Sequence, residues 1–208
     1  MRVVLLGPPG AGKGTQAERI SARFEVAHLG TGDLLRAAAE RGTPLGRKAR
    51  GYMERGDLVP DELIVDLVLE RLAADELAGG FVLDGFPRTV AQAEALDRRL
   101  AELDRRLDAV IALEVGEAEL RRRLAARADQ QDRAEDEDER AVDRRLELFA
   151  DEAGPLAAYY DRRGLLVRVD GEGGEDEVAE RVAAALAAAG GGGRARTAGG
   201  APLAGEAG

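Results

Sequence analysis

Cysteine is absent from this sequence of 208 residues, and histidine occurs only once, at His28. A chain without cysteine forms neither disulfides nor thiolate metal sites, which is typical of proteins in a reducing compartment. A single histidine gives no support to a metal centre or a nucleophile–histidine pair, so we expect His28 to be structural. No apolar run is long enough for a membrane helix or a secretory signal, and we expect a cytoplasmic protein without membrane contact.

Positive charge is also scarce in this chain. The sequence holds 40 acidic and 30 basic residues, which gives a formal net charge of −10 at pH 7. This balance disfavours a general nucleic-acid-binding surface, so no nucleic-acid partner is expected. Lysine occurs only as Lys13 and Lys48, whereas arginine is abundant, a preference that a bias toward GC-rich codons would explain. A chain of this charge that binds polyanions has to gather its cations in one cleft.

Short apolar segments alternate with longer amphipathic ones, which is the pattern of an α/β fold with a parallel sheet flanked by helices. The pattern predicts five strands, at Arg2–Leu6, Val26–Leu29, Phe81–Leu83, Val110–Leu113 and Leu165–Val169. It also predicts helices near Thr15–Phe24, Asp61–Ala74, Val90–Leu103, Glu117–Arg127, Arg140–Tyr160 and Glu175–Ala188.

Two segments are expected to be inserts on this core. Residues 30–59 contain short helices separated by glycine and proline, and residues 127–139 are mostly polar and charged, without apolar periodicity. The core then consists of residues 1–29, 60–126 and 140–189, which form a single domain with its inserts. Residues 190–208 are glycine-rich and of low complexity, so we expect a disordered tail.

The glycine-rich loop Gly7–Thr15 follows the first strand and precedes a helix. In this order, glycines let backbone N–H groups surround phosphate oxygens, and the helix N-terminus adds positive potential. Lys13 is expected to reach the terminal phosphates. Gly14 stands where such loops usually carry serine or threonine, and the hydroxyl follows one residue later at Thr15.

Asp84 and Arg88 follow the third strand, within the segment Leu83–Thr89. Ligands of an open parallel sheet bind outside the carboxyl ends of its strands, so we expect Asp84 beside the glycine loop. An acid at this place can hold Mg²⁺ through water. The pair Phe86–Pro87 would fix a turn that directs Arg88 into the same cleft, and the alternative is a surface turn with an exposed arginine.

The segment Gly30–Arg36 follows the second strand. Its glycines flank Thr31 and permit close approach of a flat ring, with Arg36 one helical turn on. The alternative is an ordinary helix start, capped by Thr31 or Asp33. Further arginines are candidates for the same cleft, although many arginines of this chain are expected at the solvated surface: Arg123, Arg127, Arg133 and Arg145.

These motifs together resemble the adenylate kinase family of nucleoside monophosphate kinases. The resemblance covers the chain to about residue 189 and is carried by Gly7–Thr15, Leu29–Arg36, Gly56–Pro60 and Asp84–Arg88 with Gln92. It implies a P-loop fold with a five-stranded parallel sheet in a single kinase domain, residues 1–189, which acts as a monomer. The inserts become a nucleoside-monophosphate-binding insert at 30–59 and a short lid at 127–139. The lid lacks the four zinc ligands of longer-lid relatives, so zinc is not expected.

The resemblance implies a role for each matching residue. The implied ATP-binding residues are Gly10, Ala11, Gly12, Lys13, Gly14, Thr15, Arg123, Arg127 and Gly173. The implied AMP-binding residues are Thr31, Arg36, Asp57, Leu58, Val59, Gly85, Phe86, Pro87, Arg88, Gln92, Arg133 and Arg145. The implied catalytic residues are Lys13, Arg88, Arg127, Arg133 and Arg145, and Asp84 is implied to position Mg²⁺ through water.

The match is loosest in the lid. An unusually long and acidic run surrounds Arg133, and Arg144 competes with Arg145 for the role of phosphate contact. The implied reaction is reversible, Mg-dependent phosphoryl transfer from ATP to AMP, giving two ADP for adenine nucleotide homeostasis. One alternative is a kinase for UMP/CMP or GMP, against which Thr31 and Gln92 favour AMP. The other is a regulatory module that binds ATP or ADP, which would need no second nucleotide pocket.

Overall fold

Five strands and eight helices make up the part of the chain that the computed structural model describes, residues 1–55, 57, 59–72, 77–131 and 139–193. The strands are β1 (Arg2–Leu6), β2 (Ala27–Gly30), β3 (Phe81–Asp84), β4 (Ala109–Glu114) and β5 (Leu166–Asp170). The helices are α1 (Lys13–Phe24), α2 (Thr31–Glu40), α3 (Pro44–Glu54), α4 (Asp61–Leu72), α5 (Val90–Glu102), α6 (Glu117–Gln131), α7 (Glu139–Asp161) and α8 (Glu175–Gly193).

All five strands run parallel in the spatial order β2-β3-β1-β4-β5, which confirms the predicted five-stranded parallel sheet. Val4 of the central strand β1 lies opposite Leu83 of β3 and Val110 of β4. The chain passes from β1 to β2 and β3 on one side, and then crosses to β4 and β5 on the other. This reversal opens a crevice at the carboxyl ends of the strands, where the glycine loop leaves β1.

Hydrophobic side chains cover both faces of the sheet, which is why its strands are continuous apolar runs. Val4 on one face packs in a core with Leu96 of α5 and Tyr160 of α7, both of them fully buried. Val3 on the other face packs in a second core with Ile20 of α1 and residues of α8. The two cores fix the position of the sheet, and with it the starting points of the loops at its carboxyl edge.

Helices α2 and α3 form most of the predicted insert, and they meet at Gly46. Thr43 caps α3, because its Oγ1 accepts a hydrogen bond from the backbone N–H of Gly46 at 3.0 Å, and Pro44 follows at the helix start. A Cβ added at Gly46 would overlap the backbone of Ala38 in α2. Glycine therefore allows the close approach that holds α2, which begins at Thr31, against α3.

Several element boundaries differ from the sequence prediction. Helix α6 continues to Gln131, beyond the predicted end at Arg127, and α8 continues to Gly193, through the first residues of the predicted tail. Both extensions add residues to a helix that has already formed, which costs less free energy than nucleating a new helix. The predicted end of α4 at Ala74, the lid residues 132–138 and the tail from 194 lie outside the described residues. In the described ranges no helix has the length and apolar character needed to cross a membrane.

Candidate active site

A cleft of about 630 Å³ opens at the carboxyl edge of the sheet, with the glycine loop as its floor. Its first arm lies on the β2–β3 side of β1 and is lined by residues that include Thr31, Arg36, Asp57, Val59, Gly85 and Gln92. Its second arm lies on the β4–β5 side and is lined by residues that include Arg123, Ala126, Gly171, Gly173, Gly174 and Val178. The two arms meet at the start of α1.

The glycine loop presents the N-terminus of α1 to this cleft. Gly10 and Gly12 have φ angles of 83° and 87°, in the left-handed region that favours glycine. Gly12 is the N-cap residue of α1, and since it has no side chain, no side-chain hydrogen bond caps the helix start. A helix start of this kind directs backbone N–H groups and partial positive charge toward an anion. The geometry is therefore that of the predicted phosphate cradle.

Lys13 lies where the two arms of the cleft meet. Its Nζ donates hydrogen bonds to the backbone carbonyls of Gly7 at 2.8 Å and Pro8 at 2.9 Å. Desolvation by the surrounding protein lowers the pKa of Lys13 from 10.5 to about 8, an effect that Asp84 opposes and that Arg88 reinforces. An ammonium group in this position gains stabilisation from any anion that enters the cleft.

Arginines surround Lys13, and three of them act on its pKa: Arg88, Arg145 and Arg127. Desolvation, together with the charges of Arg145 and Arg36, also lowers the pKa of Arg88. Solvent in the open cleft still reaches Arg88, and its guanidinium stays charged at any physiological pH. The acidic chain therefore concentrates cations in one cleft, the arrangement that its composition demands of a polyanion-binding protein.

Helix α7 carries two adjacent arginines that point to different partners. Arg145 lines the cleft. The Nε of Arg144 lies 3.3 Å from Oδ1 of Asp57, whose Oδ2 also pairs with Arg55 at 2.9 Å. Hydrogen bonds from Arg55 and Arg144 lower the pKa of Asp57. Of the two competing residues, the geometry therefore favours Arg145 as the one that faces a ligand.

Thr31 and Gly85 form the inner wall of the first arm. Thr31 is only 1% exposed, and its Oγ1 donates a hydrogen bond to the backbone carbonyl of Asp84 at 3.2 Å. A Cβ added at Gly85 would lie 2.6 Å from that Oγ1. Farther out, Arg36 Nη2 pairs with Asp33 Oδ1 at 2.6 Å. Thr31 and Arg36 thus lie on the same arm, as the sequence predicts.

Gln92 is held by hydrogen bonds at both ends of its amide. It is 2% exposed, its Oε1 accepts from the backbone N–H of Arg88 at 2.7 Å, and its Nε2 donates to Asp61 Oδ1 at 2.6 Å. Thr89, the N-cap residue of α5, donates from its hydroxyl to Asp61 Oδ2 at 3.1 Å. Asp61 therefore orients Gln92, a role that the sequence did not reveal because Asp61 has the pattern of an ordinary helix start after Pro60.

Phe86 and Pro87 form the turn between β3 and Arg88. The resemblance assigns both to the AMP pocket, and this stays a prediction. The Phe86 side chain is fully buried in the core, and the described lining of the larger cleft includes neither residue, so a contact with AMP would have to come from their backbone. The peptide bond between them is cis, and Pro87 lines a separate cavity of about 90 Å³. An aromatic residue directly after a buried strand is more readily accommodated in the core than in a polar cleft. These residues shape the turn that carries Arg88.

The second arm lies between α6 and the segment Gly171–Gly174. Arg123 donates from Nη2 to the backbone carbonyls of Gly171 at 3.1 Å and Gly173 at 3.4 Å, and from Nε to Glu119 Oε1 at 2.7 Å. Arg122 and Arg123 lower the pKa of Glu119 to about 2. Arg127 lies one turn beyond Arg123 and also lines the cleft. The structure thus brings together three residues that the resemblance assigns to ATP binding, Arg123, Arg127 and Gly173.

Asp84 ends β3 beside the glycine loop, as predicted. Its Oδ2 lies 3.5 Å from the point where a Cβ of Gly14 would stand, and its charge acts on the pKa of Lys13. In the described part of the chain, no group of three histidine, aspartate or glutamate side chains is placed to hold a metal ion. The predicted residues Leu58 and Arg133 lie outside the described residues.

Comparison with known proteins agrees with this geometry. The family model described as adenylate kinase matches residues 5–165. An adenylate kinase of Xanthomonas campestris pv. campestris is 50% identical over 186 residues, which cover 89% of this chain and 99% of the relative. An adenylate kinase of Thermus thermophilus is 53% identical over 184 residues, which cover 88% of this chain and 96% of the relative. The chain therefore belongs to the adenylate kinase family of phosphotransferases.

Proposed function

We propose that the cleft holds ATP and AMP together and transfers the terminal phosphoryl group of ATP to AMP, reversibly, giving two ADP. Phosphoryl transfer between these nucleotides is the reaction of the family to which the chain belongs. The observation that carries the assignment of sites is the cleft with two arms that meet at Lys13. Such a reaction maintains the balance of adenine nucleotides.

ATP is assigned to the second arm. Backbone N–H groups of residues 10–15 would surround its phosphates, as expected at a glycine loop that opens a helix. Arg123 and Arg127 would contact ATP from α6, and the backbone at Gly173 would cover the adenine. This assignment is supported by the hydrogen bonds of Arg123 to Gly171 and Gly173, which hold that backbone against α6.

AMP is assigned to the first arm. Its phosphate would bind Arg36 and Arg88, with Arg145 and Arg133 completing the contact, and its adenine would bind Gln92. Backbone and side-chain atoms of Thr31, Gly85 and residues 57–59 would enclose the ring. Support comes from Thr31, Arg36, Asp57, Val59, Gly85, Arg88 and Gln92, which all line the same arm.

The chemistry requires positioning and charge neutralisation. The phosphate of AMP is already ionised near neutral pH and is itself the nucleophile, so no general base is needed. Lys13, Arg88, Arg127 and Arg145 would offset the negative charge of the two nucleotides and align the reacting groups, as would Arg133. This assignment is supported by Arg88, Arg145 and Arg127, whose charges lower the pKa of Lys13.

Asp84 fits the role of a magnesium-positioning acid. Its carboxylate ends β3 at the phosphate loop, and carboxylate oxygens and water are the ligands that Mg²⁺ prefers. The metal would be held by Asp84 through water and would neutralise phosphate charge. Zinc is not part of the proposal, since no cysteine occurs and His28 is the single histidine.

Exclusion of water is assigned to the two inserts, residues 30–59 and 127–139. Closure of both inserts over the cleft would exclude water, so that ATP is not hydrolysed, and would complete the set of arginines around the phosphates. We further propose that the protein acts as a cytoplasmic monomer.

A comparison of acceptors tests the proposed function. Initial rates are measured with ATP and Mg²⁺ against AMP, CMP, UMP and GMP, and AMP is expected to be strongly preferred. A preference for another acceptor would refute the assignment of AMP, and ATP binding without transfer to any of the four would indicate a regulatory module. Lys13→Ala and Arg88→Ala are each expected to lower kcat at least about a hundredfold, as for loss of one preorganised donor, while Lys48→Ala serves as a control.

A further inference from the structure

Gln16 connects the glycine loop with the segment Gly171–Gly174, which we call the strap. It lies in the first turn of α1 and is only 3% exposed. Its backbone N–H donates to the carbonyl of Gly12 in the glycine loop at 3.0 Å. Its side-chain Nε2 donates to the backbone carbonyl of Glu175, the residue directly after the strap, at 3.1 Å. One buried residue thus contacts both ends of the second arm.

The other side chains that hold the strap are more accessible to water. Arg181, whose side chain is 40% exposed, donates to the backbone carbonyl of Glu172 at 2.6 Å. Arg123 holds the strap from inside the cleft and is itself a proposed ligand contact. A buried hydrogen bond is electrostatically stronger than one in contact with solvent. Gln16, which also lines the cleft, is therefore the most buried of these three side-chain contacts.

We propose that Gln16 is a positioning residue that sets the separation between the phosphate and base subsites of the nucleotide in the second arm. The inference rests on the proposed function in placing ATP there. The strap follows β5, and the glycine loop follows β1, with β4 between these strands. No short length of chain links the two subsites. The side-chain amide of Gln16 joins them directly through its hydrogen bond to Glu175. A ligand that spans both subsites binds well only when their separation is correct.

The other polar atom of Gln16 favours this role over simple packing. Oε1 is buried and has no hydrogen-bond partner among the described residues. A buried acceptor without a partner lowers stability, and a leucine of similar size would remove that cost. If Gln16 served only to stabilise the fold, leucine would be an adequate replacement. We therefore expect Gln16→Leu to impair the binding of ATP without lowering the thermal midpoint of the ligand-free protein.

The test compares a ligand that spans both subsites with one that occupies only the phosphate subsite. Dissociation constants of ATP and of inorganic tripolyphosphate are measured by calorimetry for the wild type and for Gln16→Leu. The variant is expected to bind ATP about tenfold more weakly, a loss typical of one hydrogen bond. Tripolyphosphate binding is expected to change less than about twofold, and in steady state the KM for ATP rises while the KM for AMP and kcat are retained.

Arg19→Ala is the matched control. Arg19 lies one turn after Gln16 and pairs with the side chains of Glu175 and Asp176 at 3.3 Å and 2.6 Å, so its removal loosens the contact between α1 and α8 without touching the Gln16 amide. Unchanged ATP binding in Gln16→Leu would overturn the proposal, as would an equal loss for tripolyphosphate or for Arg19→Ala. A wild type that binds ATP but transfers nothing to AMP would refute the proposed function, while the binding comparison would still decide the role of Gln16.

Discussion

As the pH rises above about 8, Lys13 is expected to lose its proton in the ligand-free enzyme at a lower pH than in the nucleotide complex. Desolvation and the neighbouring arginines lower the pKa of Lys13 to about 8, against the opposing charge of Asp84. Bound phosphates add negative charge beside the ammonium and raise its pKa again. Since kcat/KM reports the free enzyme and kcat reports the complex, kcat/KM is expected to fall at a lower pH than kcat.

The size of the effect follows from the same pKa. At about pH 9, roughly one tenth of the free enzyme keeps a charged Lys13, so kcat/KM for ATP is expected to be about tenfold below its value near pH 7. Stability changes in the opposite direction. Because the folded pKa of Lys13 lies below 10.5, the folded state binds fewer protons than the unfolded state, and the free energy of unfolding rises with pH between about 8 and 10.

The assay is a pH series of initial rates, with ADP quantified directly by chromatography so that no coupling enzyme contributes its own pH dependence. The composition suits this experiment, because the chain has two lysines, one histidine and no cysteine. Lys13→Arg keeps its charge over the whole range, and its residual kcat/KM is expected to be independent of pH. Lys48→Arg is expected to keep the wild-type profile.

Two results would refute the reasoning. One is a wild-type kcat/KM that stays constant to about pH 9.5, since this would mean that Lys13 remains charged in the free enzyme. The other is a Lys13→Arg variant whose kcat/KM falls with the wild-type midpoint, since the titrating group would then lie elsewhere. The stability comparison is confined to values below about pH 10, because the raised pKa of Tyr159, about 12, opposes the effect of Lys13 above that point.

Three further outcomes are expected. Arg145→Gln lowers kcat at least about a hundredfold, whereas Arg144→Gln, which removes a pair with Asp57, changes kcat by less than about threefold; equal losses in steady-state kinetics would contradict the geometry. Asp61→Ala leaves Gln92 without its acceptor and raises the KM for AMP about tenfold with a smaller change in kcat, and an unaltered KM would exclude this role for residue 61. Gly46→Ala forces a Cβ into the backbone of α2 and costs about 2 kcal/mol in urea unfolding, whereas Gly51→Ala in the same helix is neutral or stabilising; two values of the same sign would show that helix propensity outweighs the close contact.

The resemblance inferred from sequence is confirmed by the family model and by relatives of about 50% identity, and the predicted sheet is confirmed strand by strand. These successes depend on local patterns. Apolar runs identify strands that are buried on both faces, and the glycine loop Gly7–Thr15 is recognisable because its chemistry is contained in a short stretch of chain. Helix ends were less predictable: α6 extends four residues past its predicted end, and α8 continues to Gly193 through glycines, which disfavour a helix.

The tertiary structure decided the points that depend on contacts between distant segments. Only packing shows that Phe86 is buried in the core, that Arg145 rather than Arg144 lines the cleft, and that Asp61 orients Gln92. The same holds for the lowered pKa of Lys13, which requires burial and arginines from three other parts of the chain. The sequence by itself determined the fold class and the phosphate loop, because both arise from neighbouring residues. The direction and charge state of the side chains in the cleft were decided by the fold, because hydrogen bonding and desolvation depend on every segment that surrounds them.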